Sequence, residues 1–183
     1  MKKLFYFILI LGCLQSCNQK PARDTVTVAP YTDTLNAGDT TTPSVPKPIG
    51  MVSDFAGIFT KGQMDSLEKI LTQYEKRTTN EIAVATVNSW MVDSAAFENY
   101  TLDMARVWGV GKKGKDNGVL IVIAPHLRRI RIQNGYGIEK ILSNEETKQI
   151  IDKVFIPEFK KGDFYRGTHN GIAAIIAKLD SKK

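Results

Sequence analysis

Two short runs of almost purely apolar, largely β-branched residues constrain this chain more than any other feature. Residues 82–87 read Ile-Ala-Val-Ala-Thr-Val, and residues 119–124 read Val-Leu-Ile-Val-Ile-Ala. Runs of this length and composition are typical of central strands, which are buried on both faces of a sheet. Because strands alternate with helical patterns along the chain, the sequence predicts a layered α/β fold with helices on both faces.

Apolar residues at helical spacing predict four helices, and each has a residue suited to cap its first turn. Thr60 and Ser143 each begin a capping box, and Asp93 and Asp163 are placed to cap the other two helices. Pro157 is expected to end the helix that begins at Ser143, because proline removes a backbone donor from a helix interior.

A third strand is predicted at residues 128–134, only four residues after the second apolar run. So short a connection requires an antiparallel hairpin, and the sheet is therefore mixed. Arg129 and Arg131 alternate with isoleucines, so one side of this strand is expected to be exposed. In open α/β sheets, sites lie in loops beyond the carboxyl ends of the strands.

The first 17 residues have the features of a secretion signal. A cationic start is followed by an uncharged run, residues 4–14, and then by Leu14-Gln15-Ser16-Cys17, which resembles the bacterial lipobox. We therefore predict lipidation at Cys17 and a location in the bacterial cell envelope, facing the periplasm or the cell surface. The alternative is an ordinary secretion signal with an incidental cysteine.

Residues 18–49 contain seven threonines and five prolines, with few apolar residues and no periodicity. Such a segment buries too little surface to offset its ordering entropy, so it is predicted to be a disordered tether. The folded domain is then expected at residues 50–180, followed by a short tail, residues 181–183.

Composition excludes several classes of site from this domain. Both cysteines, Cys13 and Cys17, precede it, so it holds no disulfide, zinc–thiolate cluster or thiol nucleophile. The net charge of +6 comes without a dense basic and aromatic cluster, so no nucleic-acid partner is expected. His126 and His169 are interpreted as surface or half-buried residues, and the glycine- and lysine-rich residues 109–115 as a solvated connector rather than a phosphate loop.

Acidic residues in loops are the remaining candidates for chemistry. Asp54, Asp116, Glu139 and Asp163 each lie within two residues of a glycine or, for Asp54, three. Ordinary turn chemistry explains each one alone, but hard cations bind several such oxygens where loops converge. Composition leaves both interpretations open.

Six blocks in order resemble the TPM domain family, over residues 50–180. They are Val52-x-Asp54-x-Ala56-Gly57, Thr79-Asn80-Glu81-Ile82, Trp108-x-Val110-Gly111, Asp116-Asn117-Gly118-Val119-Leu120, Gly135-Tyr136-Gly137-x-Glu139 and Pro157-x-Phe159-x-x-Gly162-Asp163-Phe164. The family includes plant thylakoid-lumen proteins tied to photosystem II repair and many bacterial envelope proteins. Asn80 stands where glycine is usual.

The resemblance implies a three-layer α/β/α sandwich with a mixed central sheet, and an acidic cavity that binds calcium or another divalent cation. Asp54 and Asp116 match the family's best-marked loop acids, and Asn117, Asp163 and Glu139 are the further candidate ligands. We expect Asp54 and Asp116 to approach one another at the carboxyl edge of the sheet. The resemblance also implies a weak acid-phosphatase activity.

Three functions therefore compete. The first is a membrane-tethered, cation-binding module that acts on an unknown envelope protein in assembly, repair or quality control. The second is a metal-assisted phosphatase, although the sequence places no arginine at the cavity. The third is a structural domain with a vestigial site.

Overall fold

The computed structural model describes residues 44–181, which form a four-stranded sheet and six α-helices. The strands are β1 (Val52–Asp54), β2 (Glu81–Thr86), β3 (Gly118–Ala124) and β4 (Arg129–Asn134). The helices are α1 (Lys61–Thr78), α2 (Phe97–Trp108), α3 (Tyr136–Glu139), α4 (Asn144–Ile150), α5 (Ile156–Phe159) and α6 (Phe164–Asp180).

The strands lie in the order β1-β2-β3-β4. The first three are parallel, and β4 is antiparallel to β3, so the predicted mixed sheet and hairpin are confirmed. A 3₁₀ turn, Pro125–Leu127, joins β3 to β4. The sequence analysis missed β1, which is only three residues long and pairs at the edge of the sheet.

Side chains of alternate parity fill the two faces of the sheet, as the pleat requires. On one face the odd-numbered residues of β3 pack with α1 and α6 through Leu67, Leu71, Ile172, Ile175 and Leu179. On the other face the even-numbered residues of β3 pack with α2 through Phe97, Tyr100 and Met104. The predicted sheet with helices on both faces is therefore confirmed.

Local capping signals are confirmed at three helices. Thr60 and Ser143 form complete capping boxes, and the Asp163 carboxylate accepts a hydrogen bond from the backbone N–H of Arg166. Asp93 is different, because α2 begins only at Phe97. The Asp93 carboxylate instead accepts a hydrogen bond from the N–H of Ala96 at 2.8 Å, which caps the turn before the helix.

The prediction that Pro157 ends its helix is wrong. The helical path continues through a π-helical segment, Ile151–Phe155, directly into α5, where Pro157 lies at the start of the helix. A π turn widens the backbone just before Pro157, which leaves more room for the proline ring beside the preceding turn. The segment therefore turns into α5 without the steric conflict that an α-helical interior would impose.

The prediction of an exposed side on β4 is also wrong. Helix α2 covers it, and Arg131 is only 6% exposed. Glu98 of α2 pairs with both Arg131, at 2.9 Å, and Arg129. Burial lowers the pKa of Arg131, and Glu98 opposes this shift. Charge alternation thus marked a helix-covered face here, because the helix supplies the counter-charge.

The residues just before the predicted start of the domain contact helix α2. Residues 44–49, which we call the strap, include two half-buried residues, Val45 and Pro46, whereas the other four are exposed. Val45 contacts the apolar cluster beneath α2, and the Trp108 indole N–H donates to the carbonyl of Pro46 at 2.7 Å. The predicted signal, Cys17 and the tether up to residue 43 lie outside the described residues, as do residues 182–183. No helix among residues 44–181 has the length and apolarity needed to span a membrane.

Candidate functional site

Asp116 lies at the amino edge of the sheet, in the turn just before β3. Its backbone has φ = 50°, a left-handed conformation that aspartate tolerates better than most residues. Its carbonyl accepts a hydrogen bond from the N–H of Gly137 at 2.9 Å, which ties the turn to the segment after β4. Because β4 is antiparallel, that segment returns to the same edge at which β3 begins.

The Gly-Tyr-Gly segment (135–137) is glycine-rich because two backbones touch here. A Cβ on Gly135 would lie 2.3 Å from the carbonyl oxygen of Asp116, and one on Gly137 would lie 2.2 Å from that of Lys115. Helix α3 then starts at Tyr136 and carries Glu139, whose N–H bonds the carbonyl of Gly135 at 3.0 Å. The close approach brings Glu139 to the cleft that Asp116 borders.

This amino-edge cleft has a volume of about 360 Å³, and both Asp116 and Glu139 line it. The last turn of α2 and the loop after it form one wall, and the ends of β3 and β4 form the floor. Desolvation raises the pKa of Glu139, which is half-buried. The cleft therefore combines an exposed carboxylate with one that holds its proton to higher pH than usual.

Basic residues line the same cleft. They are Arg106, Lys112 and Lys113. The Lys112 ammonium forms an ion pair with Glu75 and lies 3.9 Å from Glu81. Arg106 pairs with Asp103 at 3.5 Å. Lys113 makes no ion pair within residues 44–181. The cleft is thus lined by both acidic and basic residues.

Arg106 lines the cleft, although the sequence alone placed no arginine there. Helix α2 must return the chain to the amino edge before parallel strand β3 can begin, so its last turn lies beside Asp116. That topological argument was available from the sequence, since two apolar strands separated by a helix predict a parallel crossover.

Residues 109–115 are a connector, as predicted, and their amides are largely occupied. The N–H of Gly111 donates to Glu81 at 3.2 Å, and that of Lys112 donates to the Asn117 side-chain oxygen at 2.8 Å. The loop lines the cleft, but these two amides are unavailable to a phosphate. His126 is exposed and His169 half-buried, again as predicted.

Asn117 has a structural role in this geometry. It is only 7% exposed, and its amide N–H₂ donates to the carbonyl of Thr79 at 2.7 Å. Its side-chain and backbone oxygens accept from Lys112 and Glu81 respectively. The predicted ligand oxygens are therefore already bonded to the protein.

Asp54 lies at the opposite edge from Asp116, which contradicts the expectation that the two approach one another. Asp54 pairs with Thr86 at the carboxyl end of β2, whereas Gly118 pairs with Glu81 at its amino end. Five residues of strand separate these positions, or about 16 Å. The Asp54 carboxylate accepts hydrogen bonds from the Thr86 hydroxyl and from two N–H groups of the following turn, those of Ile58 and Phe59.

Asp163 also lies away from the amino-edge cleft. It caps α6 and its carboxylate is 3.3 Å from the guanidinium of Arg166. The neighbouring residues Gly162 and Phe164 line a second groove, at the carboxyl end of β3. The structure thus brings Asp116 and Glu139 together and separates Asp54 and Asp163 from them. Among residues 44–181, no cluster of three or more acidic, histidine or cysteine side chains is arranged to hold a metal.

Solved structures share this architecture. The N-terminal domain of a protein from P. gingivalis, determined in solution by NMR, is 34% identical, with a TM-score of 0.65 over 72% of this chain and 82% of that chain. The N-terminal domain of the cg2496 protein of Corynebacterium glutamicum is 15% identical, with a TM-score of 0.55 over 74% and 83%. The BA42 protein of the psychrophilic bacterium Bizionia argentinensis is 23% identical, with a TM-score of 0.53 over 67% and 82%. The latter two support the fold alone.

A comparison with curated proteins finds no match. The family model of the TPM domain, which carries the label TPM_phosphatase, matches residues 52–178. That range includes every helix of the domain except the last residues of α6, together with all four strands and the amino-edge cleft. This chain therefore belongs to the TPM domain family.

Proposed function

We propose that this protein is a membrane-tethered TPM-domain module that binds a divalent cation in the amino-edge cleft, through Asp116 and Glu139. The observation that carries the proposal is that these two carboxylates, and not Asp54 or Asp163, line one cleft. The TPM resemblance implies a cation site, and two carboxylates in a solvent-accessible cleft suit a hard divalent ion.

The ligand set bears on the identity of the cation. Calcium prefers six to eight oxygens, whereas magnesium often binds one or two carboxylates and completes its shell with water or phosphate. Two protein carboxylates thus support a weak, open site at which calcium and magnesium compete. The positions left open would be available to an anionic ligand.

The basic wall of the cleft supports metal-assisted phosphatase activity as a second candidate. Arg106 and Lys113 can orient a phosphomonoester by its charge. A bound cation would neutralise phosphate charge and acidify a water molecule. The label of the family model is consistent with this chemistry.

A cation titration with Asp116→Asn and Glu139→Gln tests the first proposal. Saturating calcium or magnesium should raise the melting temperature of the wild type, because ligand that binds only the folded state stabilises it. Both variants should lose most of that increase. Asp163→Asn is the matched control, since asparagine also caps helices and Asp163 lies elsewhere. An equal response in Asp116→Asn and the control would exclude this site.

Hydrolysis of p-nitrophenyl phosphate tests the second candidate. We expect metal-dependent turnover that Asp116→Asn abolishes, and a raised KM with little change in kcat for Lys113→Gln. The absence of turnover with calcium, magnesium or manganese between pH 4 and 8 would contradict the phosphatase activity. It would not bear on cation binding, which the titration tests separately.

We further propose that Cys17 carries the lipid anchor and that the module acts on other envelope proteins in assembly, repair or quality control. The lipobox-like segment and the TPM resemblance support this setting. Mass spectrometry of the mature protein should find acyl groups on Cys17 and an unprocessed chain for Cys17→Ser. An unacylated N-terminus elsewhere would contradict the anchor, and cross-linking in intact cells that captures no envelope protein would contradict the partner role.

A further inference from the structure

A second groove lies at the carboxyl end of β3, on the edge of the sheet opposite Asp116. Its volume is about 510 Å³. Ile123, Ala124 and Pro125 form one part of its lining, and an apolar part from α5 and the start of α6 faces them. That part includes Ile156, Phe159 and Phe164, and the only charged lining residues are Arg128, Arg129 and Lys160. The groove is thus apolar inside and cationic, with no carboxylate in its lining.

Two of these cations are available to a ligand. Arg129 is not, because its guanidinium bonds Glu98 and the carbonyl of Ser94 and stacks 4.7 Å from the Phe97 ring. Arg128 and Lys160 are exposed, and neither makes an ion pair within residues 44–181.

The negative charges of the acidic residues beside the groove are already balanced by ion pairs with neighbouring basic residues. Glu158 lies 2.9 Å from Lys161, and Asp163 lies 3.3 Å from Arg166. A local excess of positive charge therefore remains at the rim of the groove, from Arg128 and Lys160.

An exposed tryptophan lies at the same edge. Trp90, in the loop after β2, is 78% exposed. That loop is held against the turn at the groove, because the His126 ring lies 3.0 Å from the carbonyl of Val92 and Arg129 donates to Ser94. Asp93 adds one negative charge to the loop, where its carboxylate accepts from Ala96. Tryptophan beside free cations is typical of surfaces that rest on a lipid interface.

We propose that this carboxyl edge is the face with which the domain docks on a membrane that contains anionic phospholipid. Arg128 and Lys160 contact phosphate headgroups, Trp90 enters the interface, and the groove accepts the apolar part of a lipid. Charge complementarity and the predicted anchor favour this occupant. Residues 18–43, which separate Cys17 from the described chain, span at most about 90 Å, so the anchor permits the contact.

Docking in this orientation leaves the amino-edge cleft directed away from the bilayer, because the two sites lie at opposite edges of the sheet. The proposal goes beyond the lipid anchor, since it predicts binding by the folded domain itself. It is therefore tested with residues 18–183, which lack the signal and any acyl group.

The experiment is sedimentation with vesicles of phosphatidylcholine, with or without 30% phosphatidylglycerol. We expect binding only to the anionic vesicles, weakened by salt, with a blue shift of tryptophan emission. Each cation near an anionic surface contributes about five-fold in affinity, so Arg128→Gln with Lys160→Gln should weaken binding about 25-fold. Trp90→Ala should also weaken it.

The matched control is Lys69→Gln with Lys76→Gln, an equal change of charge at exposed positions of α1. Its binding should stay within about two-fold of the wild type. Equal loss in the control would mean that net charge alone drives binding and would overturn the proposal. Absence of wild-type binding to anionic vesicles, or of any emission shift in the wild type, would overturn it without recourse to a variant.

Discussion

The strap makes a specific prediction about where the stable domain begins. Truncation to residues 50–183 removes residues 44–49, and with them the Val45 contact, the Trp108–Pro46 hydrogen bond and the hydrogen bond that the Ile49 N–H donates to the Ser53 hydroxyl at 3.0 Å. The same chain beginning at residue 44 is the reference. The comparison isolates the strap, because every other described contact is present in both proteins.

The magnitude follows from the Val45 and Pro46 contacts, because Ile49 is 78% exposed and water can replace its hydrogen bond. A hydrogen bond to a partly buried indole contributes about 1 kcal/mol, and half-burial of a valine about 1 kcal/mol more. A loss of about 2 kcal/mol in a domain of this size lowers the melting temperature by about 7 °C.

A double-mutant cycle assigns part of that loss to the indole. Trp108→Phe keeps an aromatic ring near Phe55 but removes the N–H that bonds Pro46. In the chain from residue 44 it should cost about 1 kcal/mol more than in the chain from residue 50, where the acceptor is gone. Thermal and urea unfolding followed by circular dichroism give both numbers.

Two results would refute the reasoning. Equal stability of the two truncations would show that the strap contributes nothing in solution. A cost of Trp108→Phe that is the same in both lengths would show that the ring, and not its hydrogen bond to the strap, is what stabilises α2.

Three further predictions concern the site and its support. Glu139→Gln should stabilise the protein near neutral pH, because the pKa of Glu139 is raised in the folded state and wild-type stability therefore falls as pH rises from the ordinary pKa of 4.5 through the raised pKa. The difference in melting temperature between the two proteins should vanish below that pH range. A difference that does not depend on pH would contradict the prediction. Glu98→Ala should destabilise by about 2 kcal/mol in urea unfolding, since it removes the carboxylate beside buried Arg131, and adding Arg131→Met should restore part of the loss rather than deepen it. Gly135→Ala should lower the free energy of unfolding by more than about 2 kcal/mol in the same assay, because the new Cβ would meet the Asp116 carbonyl. Gly62→Ala is the control, because it lies in the first turn of α1 with nothing within 4 Å of the new Cβ. It should be neutral or stabilising by up to about 1 kcal/mol.

Local signals in the sequence predicted local structure well. The capping boxes at Thr60 and Ser143 work through contacts three residues apart, so the sequence contains both partners. The apolar runs at β2 and β3 predicted buried strands, because this signal also lies within a few consecutive residues. The prediction from Pro157 was wrong because the π turn before it relieves the steric clash that proline causes inside an α-helix. A rule based on a single residue does not include that turn.

The site required non-local information. Asp54 is the last residue of its strand and Asp116 precedes its own, and parallel pairing sends these positions to opposite edges. Chain order together with strand direction would have separated them. Arg131 and the strap depend on which surface α2 covers, and spacing along the chain does not contain that choice.

The backbone contact beneath the amino-edge cleft affects how relatives of this protein should be interpreted. Gly135 and Gly137 are small because a neighbouring main chain occupies the space of a side chain, whether or not a cation is ever bound. A homologue could therefore keep both glycines while replacing the acids at positions 116 and 139. Sorting the family by its glycines would group proteins by shape, whereas sorting it by this pair of acids would separate members that keep the proposed cation ligands from members that lack them.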